Sequence, residues 1–167
     1  MIERLNELPA DRAEAELLKC CGSTRWAWAL TEARPFSNGD NLLEKADSVW
    51  WSLSEQDWLE SFRAHPKIGE KQAAVAQSEQ ARTWSAQEQS GTQGAAAGTT
   101  AALAEGNREY ERRFGFIFIV CATGKSSEEM LAILRERLQN DSETELRVAA
   151  EEQRKITRLR LEKLLSQ

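Results

Sequence analysis

Apolar residues recur every three or four positions along almost the whole chain, which is the spacing of one buried helix face. Residues that cap helix N-termini stand before many of these segments, among them Ser23 and Asp40. Three capping-box patterns occur as well: Ser54-x-x-Asp57, Ser126-x-x-Glu129 and Ser142-x-x-Glu145. The sequence therefore predicts an all-α fold with about eight helices in a single domain over residues 1–167.

Proline and glycine predict where several helices end. The helix after Ser54 should end before His65-Pro66, because proline disfavours helical backbone in the residue that precedes it. Between positions 72 and 98 the chain is rich in Ala, Gln, Gly and Thr, so we expect only a short helix after Ser85 and then a flexible bend. Further helices are predicted over residues 99–114, 127–139 and 143–165.

Residues 114–124 have the composition of a β-strand. A single strand has no partner in an otherwise helical chain. We therefore expect an extended, buried connector, whose main-chain amides must find partners other than a sheet.

Composition excludes several classes of protein. The formal net charge of −5 gives no attraction to nucleic acid or to anionic lipid. The longest apolar run, residues 116–122, is far shorter than a membrane span, and the N-terminus lacks the pattern of a signal peptide, so we expect no membrane association and a cytoplasmic protein. All six tryptophans fall between positions 26 and 84, and we interpret them as core residues.

Metal and cofactor sites have little support. Cys20, Cys21 and Cys121 form no C-x-x-C pair, so we expect reduced, half-buried thiols. His65 is the only histidine, which rules out a metal site with two imidazoles. The segment 124–126 is similar to the end of a phosphate-binding loop, but Ile119 stands where that loop needs glycine. We expect neither a metal nor a cofactor.

Residues 65–69 and 85–89 remain as candidate sites. His65 is either a partner of the dipole at the preceding helix C-terminus or a functional imidazole in an exposed loop. Ser85 and Glu88 fit a further capping box, and a helix N-terminus also favours an anionic ligand, so both interpretations stay open.

The last predicted helix carries an arginine within its apolar stripe. At about 100° per residue, Arg160 lies about 40° from Ile156 and falls inside the stripe, whereas Arg158 points away. An arginine in such a position must extend its charge to solvent, form an ion pair or hold a ligand. The periodicity alone leaves these alternatives open.

A set of motifs occurs in a fixed order along nearly the whole chain. They are Arg34-Pro35-Phe36, Ala46–Trp51, Asp57–Phe62, His65-Pro66-Lys67-Ile68-Gly69, Ser85-x-x-Glu88-Gln89, Phe114-Gly115-Phe116, and Lys155-Ile156 with Leu159-Arg160-Leu161. Together they closely resemble the OHCU decarboxylases, the 2-oxo-4-hydroxy-4-carboxy-5-ureidoimidazoline decarboxylases of urate breakdown.

The resemblance implies an all-α enzyme, usually a homodimer, that uses no cofactor and converts this small-molecule substrate to (S)-allantoin and carbon dioxide. It implies catalytic roles for His65, Glu88 and Arg160. The substrate-binding residues that it implies are Pro66, Ser85 and Gln89, with the backbone of Phe118, Ile119, Val120, Cys121 and Ala122.

Two other classes of function fit the same helical pattern. A non-catalytic ligand-binding or adaptor module would keep the core and the caps, but would have no use for His65 and Arg160 in one pocket. Another cofactor-free enzyme acting on ureides would share the site but not the substrate.

Overall fold

The computed structural model describes residues 1–69 and 77–166, and in these ranges every regular element is helical. The helices are α1 (Ile2–Glu7), α2 (Ala10–Cys20), α3 (Thr24–Glu32), α4 (Gly39–Ser52), α5 (Glu55–Arg63), α6 (Glu79–Glu88), α7 (Ala97–Phe114), α8 (Ser127–Arg137) and α9 (Ser142–Leu165), with a short 3-10 turn at Ser90–Thr92. The predicted all-α fold is confirmed. Within the described ranges, no helix has both the length and the apolar character needed to cross a bilayer.

The chain divides into two compact units. The first consists of Met1–Ser61 and Arg154–Gln167, and the second of Phe62–Gln153. Helix α9 therefore contributes its first part to the second unit and its last part to the first.

In the first unit, α2 packs against α3, and α3 packs against α4. The buried indole of Trp26 donates its N–H to the Ala46 carbonyl at 3.1 Å, and that of Trp58 donates to the Trp50 carbonyl at 3.0 Å. These bonds satisfy the polar edge of each ring and permit its burial.

Two tryptophans correct the prediction that all six belong to the core. Trp28 and Trp51 are each 43% exposed. They follow the buried Trp26 and Trp50 by two positions and one position, and residues at those spacings do not share a helix face. The clustering of tryptophans in the sequence therefore did not show that all of them are buried.

Several predicted caps are confirmed. The Ser23 hydroxyl accepts the N–H of Trp26, which starts α3, and the capping boxes at Ser54/Asp57 and Ser126/Glu129 are both formed.

Two predicted caps are wrong. Helix α4 is capped by Asn38 instead of Asp40, with the Asn38 side chain accepting the N–H of Asn41 at 2.8 Å. At the start of α9, Asp141 takes the role predicted for Ser142, because it accepts the N–H of Thr144 at 2.9 Å. The observed caps thus lie two residues and one residue before the predicted ones.

The second unit contains the predicted connector. Gly115 ends α7 in the left-handed conformation, with φ of +79°, which glycine adopts without strain. The chain then forms neither helix nor strand over residues 117–122, and residues 118–122 are all buried. The side chains of Phe118, Val120 and Ala122 join the core of this unit beside Tyr110 and Met130. Every second residue of the connector thus enters this core, which is the pattern of an extended chain, and the predicted burial is confirmed.

Candidate functional site

His65 lies in a packed loop directly after α5. The helix ends at Arg63, as the following proline predicted, and the N–H of His65 donates to the Phe62 carbonyl at 3.1 Å. The imidazole-bearing residue is only 8% exposed, and its neighbours Pro66 and Ile68 are also buried. The expectation of an exposed loop imidazole is therefore wrong, because the loop itself is part of the packed interior.

Two hydrogen bonds fasten this loop to neighbouring helices. The N–H of Gly69 donates to Oε1 of Gln89 at 2.9 Å, and the carbonyl of Ile68 accepts from Nδ2 of Asn107 at 3.2 Å. Gly69 has φ of +87°, a left-handed conformation that is strained for other residues. The loop is thus attached to the end of α6 and to α7, which limits the motion of His65.

Helix α6 begins earlier than the sequence predicts. Its cap is Ser78, whose hydroxyl accepts the N–H of Ala81 at 3.2 Å. Ser85 and Glu88 consequently lie in its last turn, so their interpretation as a capping box is wrong. Part of the Gln- and Ala-rich stretch, residues 72–76, lies outside the described residues.

The position of Glu88 at the end of α6 removes one structural reason for a carboxylate there. Glu88 and Ser85 are both buried. The C-terminal end of a helix carries partial negative charge, so an acidic side chain gains nothing from the helix dipole at this place. A role outside the helix therefore explains a buried glutamate better than helix capping does.

Three of the predicted substrate-binding residues share one cleft. Pro66, Ser85 and Gln89 line a cavity of about 500 Å³ in the second unit. This volume is in the range that accommodates a small organic ligand. His65 and Glu88 are not among the described residues that line it.

The connector lies close to the end of α6. Burial raises the pKa of the Cys121 thiol, and the nearby carboxylates of Glu152 and Glu88 raise it further. The thiol therefore stays protonated at neutral pH and is a poor nucleophile. The turn after α6 lies directly against the segment that follows the connector, because a Cβ atom on Gly91 would meet the carbonyl oxygen of Lys125. The second unit therefore brings together the His65 loop, the end of α6 and the end of the connector.

Charged side chains hold alternate residues of the connector. Nη1 of Arg137 donates to the Ile119 carbonyl at 2.6 Å, and the N–H of Cys121 donates to Oε2 of Glu152 at 2.7 Å. Adjacent residues of an extended chain direct their main-chain groups to opposite sides. Val120 lies between these two residues, and in the described part of the chain its N–H and carbonyl have no protein partner.

Arg137 and Glu152 are functional candidates that the sequence analysis missed. Arg137 is fixed by Glu145, which accepts its Nε–H at 2.7 Å and also accepts the hydroxyl hydrogen of Tyr110. In α8, Arg137 follows the buried Met130 by seven positions and therefore shares its buried face. The helical-wheel argument that identified Arg160 would have found Arg137 as well.

Arg160 belongs to the first unit, where it is only 3% exposed. Its predicted inward orientation is confirmed, and so is the outward orientation of Arg158, whose side chain is 44% exposed and pairs with Glu162 at 3.3 Å. Burial raises the pKa of Cys20 to about 12 and that of Cys21 to about 11, while the charge of Arg160 acts in the opposite direction. Both thiols are neutral at pH 7, so neither adds a negative charge beside the guanidinium.

Comparisons with known proteins agree with the motifs. A family model described as OHCU decarboxylase matches residues 6–162. The uric acid degradation bifunctional protein TTL of Arabidopsis thaliana is 38% identical over 154 residues, which cover 92% of this chain and 47% of that protein. The chain thus spans about half the length of this relative. The 2-oxo-4-hydroxy-4-carboxy-5-ureidoimidazoline decarboxylase of Amia calva is 33% identical over 143 residues, covering 83% of this chain and 79% of that protein.

A solved structure gives the same result. The crystal structure of an OHCU decarboxylase in the presence of (S)-allantoin matches with a TM-score of 0.79 and 38% identity, over 91% of this chain and 98% of that one. The family model covers nearly the whole sequence, and the structural match covers nearly all of both chains. This chain belongs to the OHCU decarboxylase family.

Proposed function

We propose that this chain decarboxylates 2-oxo-4-hydroxy-4-carboxy-5-ureidoimidazoline, abbreviated OHCU, to (S)-allantoin and carbon dioxide in urate degradation. Membership of the family supports this proposal. The observation that carries it is the assembly in the second unit, where Gln89 binds the loop of His65 through Gly69 and both residues line one cavity with Pro66 and Ser85. Two of the motifs that carry the resemblance, at residues 65–69 and 85–89, thus meet in space.

The reaction needs no external electron acceptor. The bond between the ring carbon and the carboxylate breaks, carbon dioxide leaves, and the electron pair passes into the conjugated ring of the substrate. The resulting enol takes up one proton on the ring nitrogen, and its hydroxyl then loses a proton as the carbon that bears the ureido group gains one, which gives the carbonyl of allantoin. The protein needs only to orient the substrate, balance its charge and move protons.

Three side chains suit these tasks. An imidazole can both accept and donate a proton, so His65 can accept or hold the proton of the substrate hydroxyl as the carboxylate leaves. Glu88 orients this imidazole or accepts hydrogen bonds from ureido N–H groups. Arg160 grips a carboxylate or carbonyl with its planar fork of donors. Pro66, Ser85, Gln89 and the connector backbone complete the binding surface.

The reaction itself can be tested with freshly generated urate-oxidation product. We expect the protein to release carbon dioxide from this substrate far faster than buffer alone does. An adaptor module would leave the rate unchanged. An enzyme acting on a different ureide would also leave it unchanged, but would accelerate breakdown of another member of a ureide panel.

Replacing Glu88 with Gln separates catalysis from structure. Because Glu88 lies in the last turn of α6, loss of its charge should leave the free energy of unfolding unchanged or slightly higher. Direct participation in proton transfer or orientation predicts a loss of about a hundredfold in kcat. Steady-state kinetics and thermal unfolding measure the two effects, and a variant with near-normal kcat would show that Glu88 has no catalytic part.

Chelators are expected to have no effect on turnover. His65 is the only histidine, and the described residues contain no group of three or more His, Cys, Asp or Glu side chains placed to hold a metal ion. Activity should therefore be the same after dialysis against EDTA. Inactivation by EDTA, reversed by zinc or manganese but not by magnesium, would contradict the cofactor-free reaction.

The family resemblance supports one further part of the proposal, because it implies that the chain acts as a homodimer. The cytoplasmic location predicted from the sequence pattern stays part of the proposal. No nucleic acid or membrane partner is proposed, because the net charge of −5 offers no attraction to either.

A further inference from the structure

Among residues 1–69 and 77–166, no strand lies beside the connector to fix its peptide planes, so side chains must fix them. Glu152 fixes the peptide plane of Cys121, the residue that follows Val120. Its Oε2 accepts the N–H of Cys121 at 2.7 Å across 31 positions of sequence. Hydrogen bonds from an N–H to a carboxylate are shorter and stronger than those between neutral groups. Glu152 is therefore a strong constraint on the rotation of the connector backbone.

The side of the connector that Glu152 binds determines which main-chain groups remain available to a ligand. Cys121 has its N–H bound to Glu152, and its carbonyl accepts Nζ of Lys125 at 2.8 Å. In an extended chain, fixing the main-chain groups of one residue also fixes those of the next residue on the opposite side. The N–H and carbonyl of Val120 are thereby held on the side away from Glu152. They form a donor and acceptor pair that complements an amide or a ureido group.

We propose that Glu152 is a positioning residue, which sets the backbone of residues 120–122 so that the main chain of Val120 binds the amide-rich ring or ureido group of the substrate. This inference rests on the proposed function. Glu152 acts through Cys121 and does not itself take part in the chemistry. It lies on α9, a helix of 24 residues, so its own position is rigid.

Arg137 holds the same side of the connector, but it is less suited to an experiment. Its guanidinium binds the carbonyl of Ile119 and is also part of the buried cluster with Glu145 and Tyr110. Removing it would leave Glu145 buried without its ion pair, and unfolding would then obscure any effect on the substrate. Glu152 is only half-buried, so its variants are better expected to fold.

The test compares Glu152→Ala with Glu152→Gln. The glutamine carbonyl oxygen can still accept the N–H of Cys121, whereas alanine cannot. We expect Glu152→Ala to raise KM by about 10- to 100-fold with kcat changed by less than about threefold, because the lost interaction acts equally on bound substrate and transition state. Glu152→Gln should stay within about threefold of the wild type in both constants.

A second measurement follows the hydrogen bond between Cys121 and Glu152. Amide hydrogen exchange of Cys121, observed by NMR in the free protein, should be faster in Glu152→Ala and near normal in Glu152→Gln. Glu143→Ala is the matched control, because Glu143 lies on the same helix but is exposed. It should change neither exchange nor kinetics.

The outcomes distinguish this inference from the function on which it rests. A wild-type protein that does not turn over OHCU would overturn both. Turnover by the wild type, with a normal KM in Glu152→Ala, would overturn the positioning role alone. A Glu152→Gln variant as impaired as Glu152→Ala, but with normal exchange at Cys121, would also overturn it, because the carboxylate charge and not the hydrogen bond would then be required.

Discussion

Replacing His65 with Asn is expected to reduce the decarboxylation rate by about a thousandfold, which is within the usual range for loss of a general acid–base group. Asparagine keeps a polar side chain of similar reach, but it cannot exchange a proton near neutral pH. Because His65 is buried, we also expect a loss of about 1 kcal/mol in the free energy of unfolding. The fold should survive a loss of this size, since hydrogen bonds at Ile68 and Gly69 also hold the loop.

Kinetics and thermal unfolding of the same preparation test this expectation. Arg63→Gln is a matched control, because Arg63 is exposed at the end of the helix that leads into the loop. The control should keep wild-type turnover. If His65→Asn also kept near-wild-type turnover, His65 would be a structural residue of a packed loop and the assigned chemistry would be wrong.

Changing Arg160 to Lys or to Met should lower kcat/KM by about 2–4 kcal/mol, or roughly 30- to 1,000-fold, as expected for loss of a charge-assisted contact. Lysine keeps the positive charge but cannot reproduce the planar two-point grip of a guanidinium. Methionine approximates the volume of the buried stem. A buried arginine with only a structural role would tolerate methionine, because apolar side chains of similar volume often replace buried ion pairs without loss of stability.

Arg158→Met provides the control on the same helix. Its side chain is 44% exposed and interacts with Asp47 and Glu162, so its loss should have little effect on either activity or stability. Circular dichroism confirms folding, and steady-state kinetics give kcat/KM for each variant. Full activity in Arg160→Met, or equal damage in Arg158→Met, would show that the wrong arginine has been identified.

Local signals predicted many helix boundaries because caps and prolines act within a few residues. The end of α5 before Pro66 and the capping box at Ser126 depend on neighbouring residues alone. The inward orientation of Arg160 follows from helical periodicity, which is also local. Elimination of other motifs left residues 65–69 and 85–89 as candidates, periodicity added Arg160, and the resemblance supplied their roles and the connector residues.

Other features depend on contacts between distant residues and could not be predicted in this way. Glu145 matched a capping box at the start of α9, but its carboxylate is buried and binds Arg137 and Tyr110 instead. Asp141 caps the helix in its place. The pattern Ser85-x-x-Glu88 likewise matches a capping box, although the helix starts at Ser78 and its last turn contains both residues. A four-residue pattern does not show at which end of a helix it lies.

The anchoring of the connector is the clearest case of this limit. The sequence predicted an extended segment without a strand partner, but it did not show which residues bind this segment. Glu152 lies 31 positions from Cys121, and Arg137 lies 18 positions from Ile119. Only the fold brings these residues together, so only the fold shows which main-chain groups of the connector are already bound.

The enantiomeric composition of the allantoin produced tests the proposed reaction most directly. Loss of carbon dioxide removes the stereocentre of the substrate and leaves a planar intermediate. In buffer this intermediate takes up its proton on either face, so decay without the protein yields both enantiomers. With the wild-type protein and freshly generated OHCU, we expect only (S)-allantoin by circular dichroism or chiral chromatography, with one carbon dioxide released for each allantoin formed. Racemic allantoin, formed at the rate observed in buffer, would contradict the proposed decarboxylase activity.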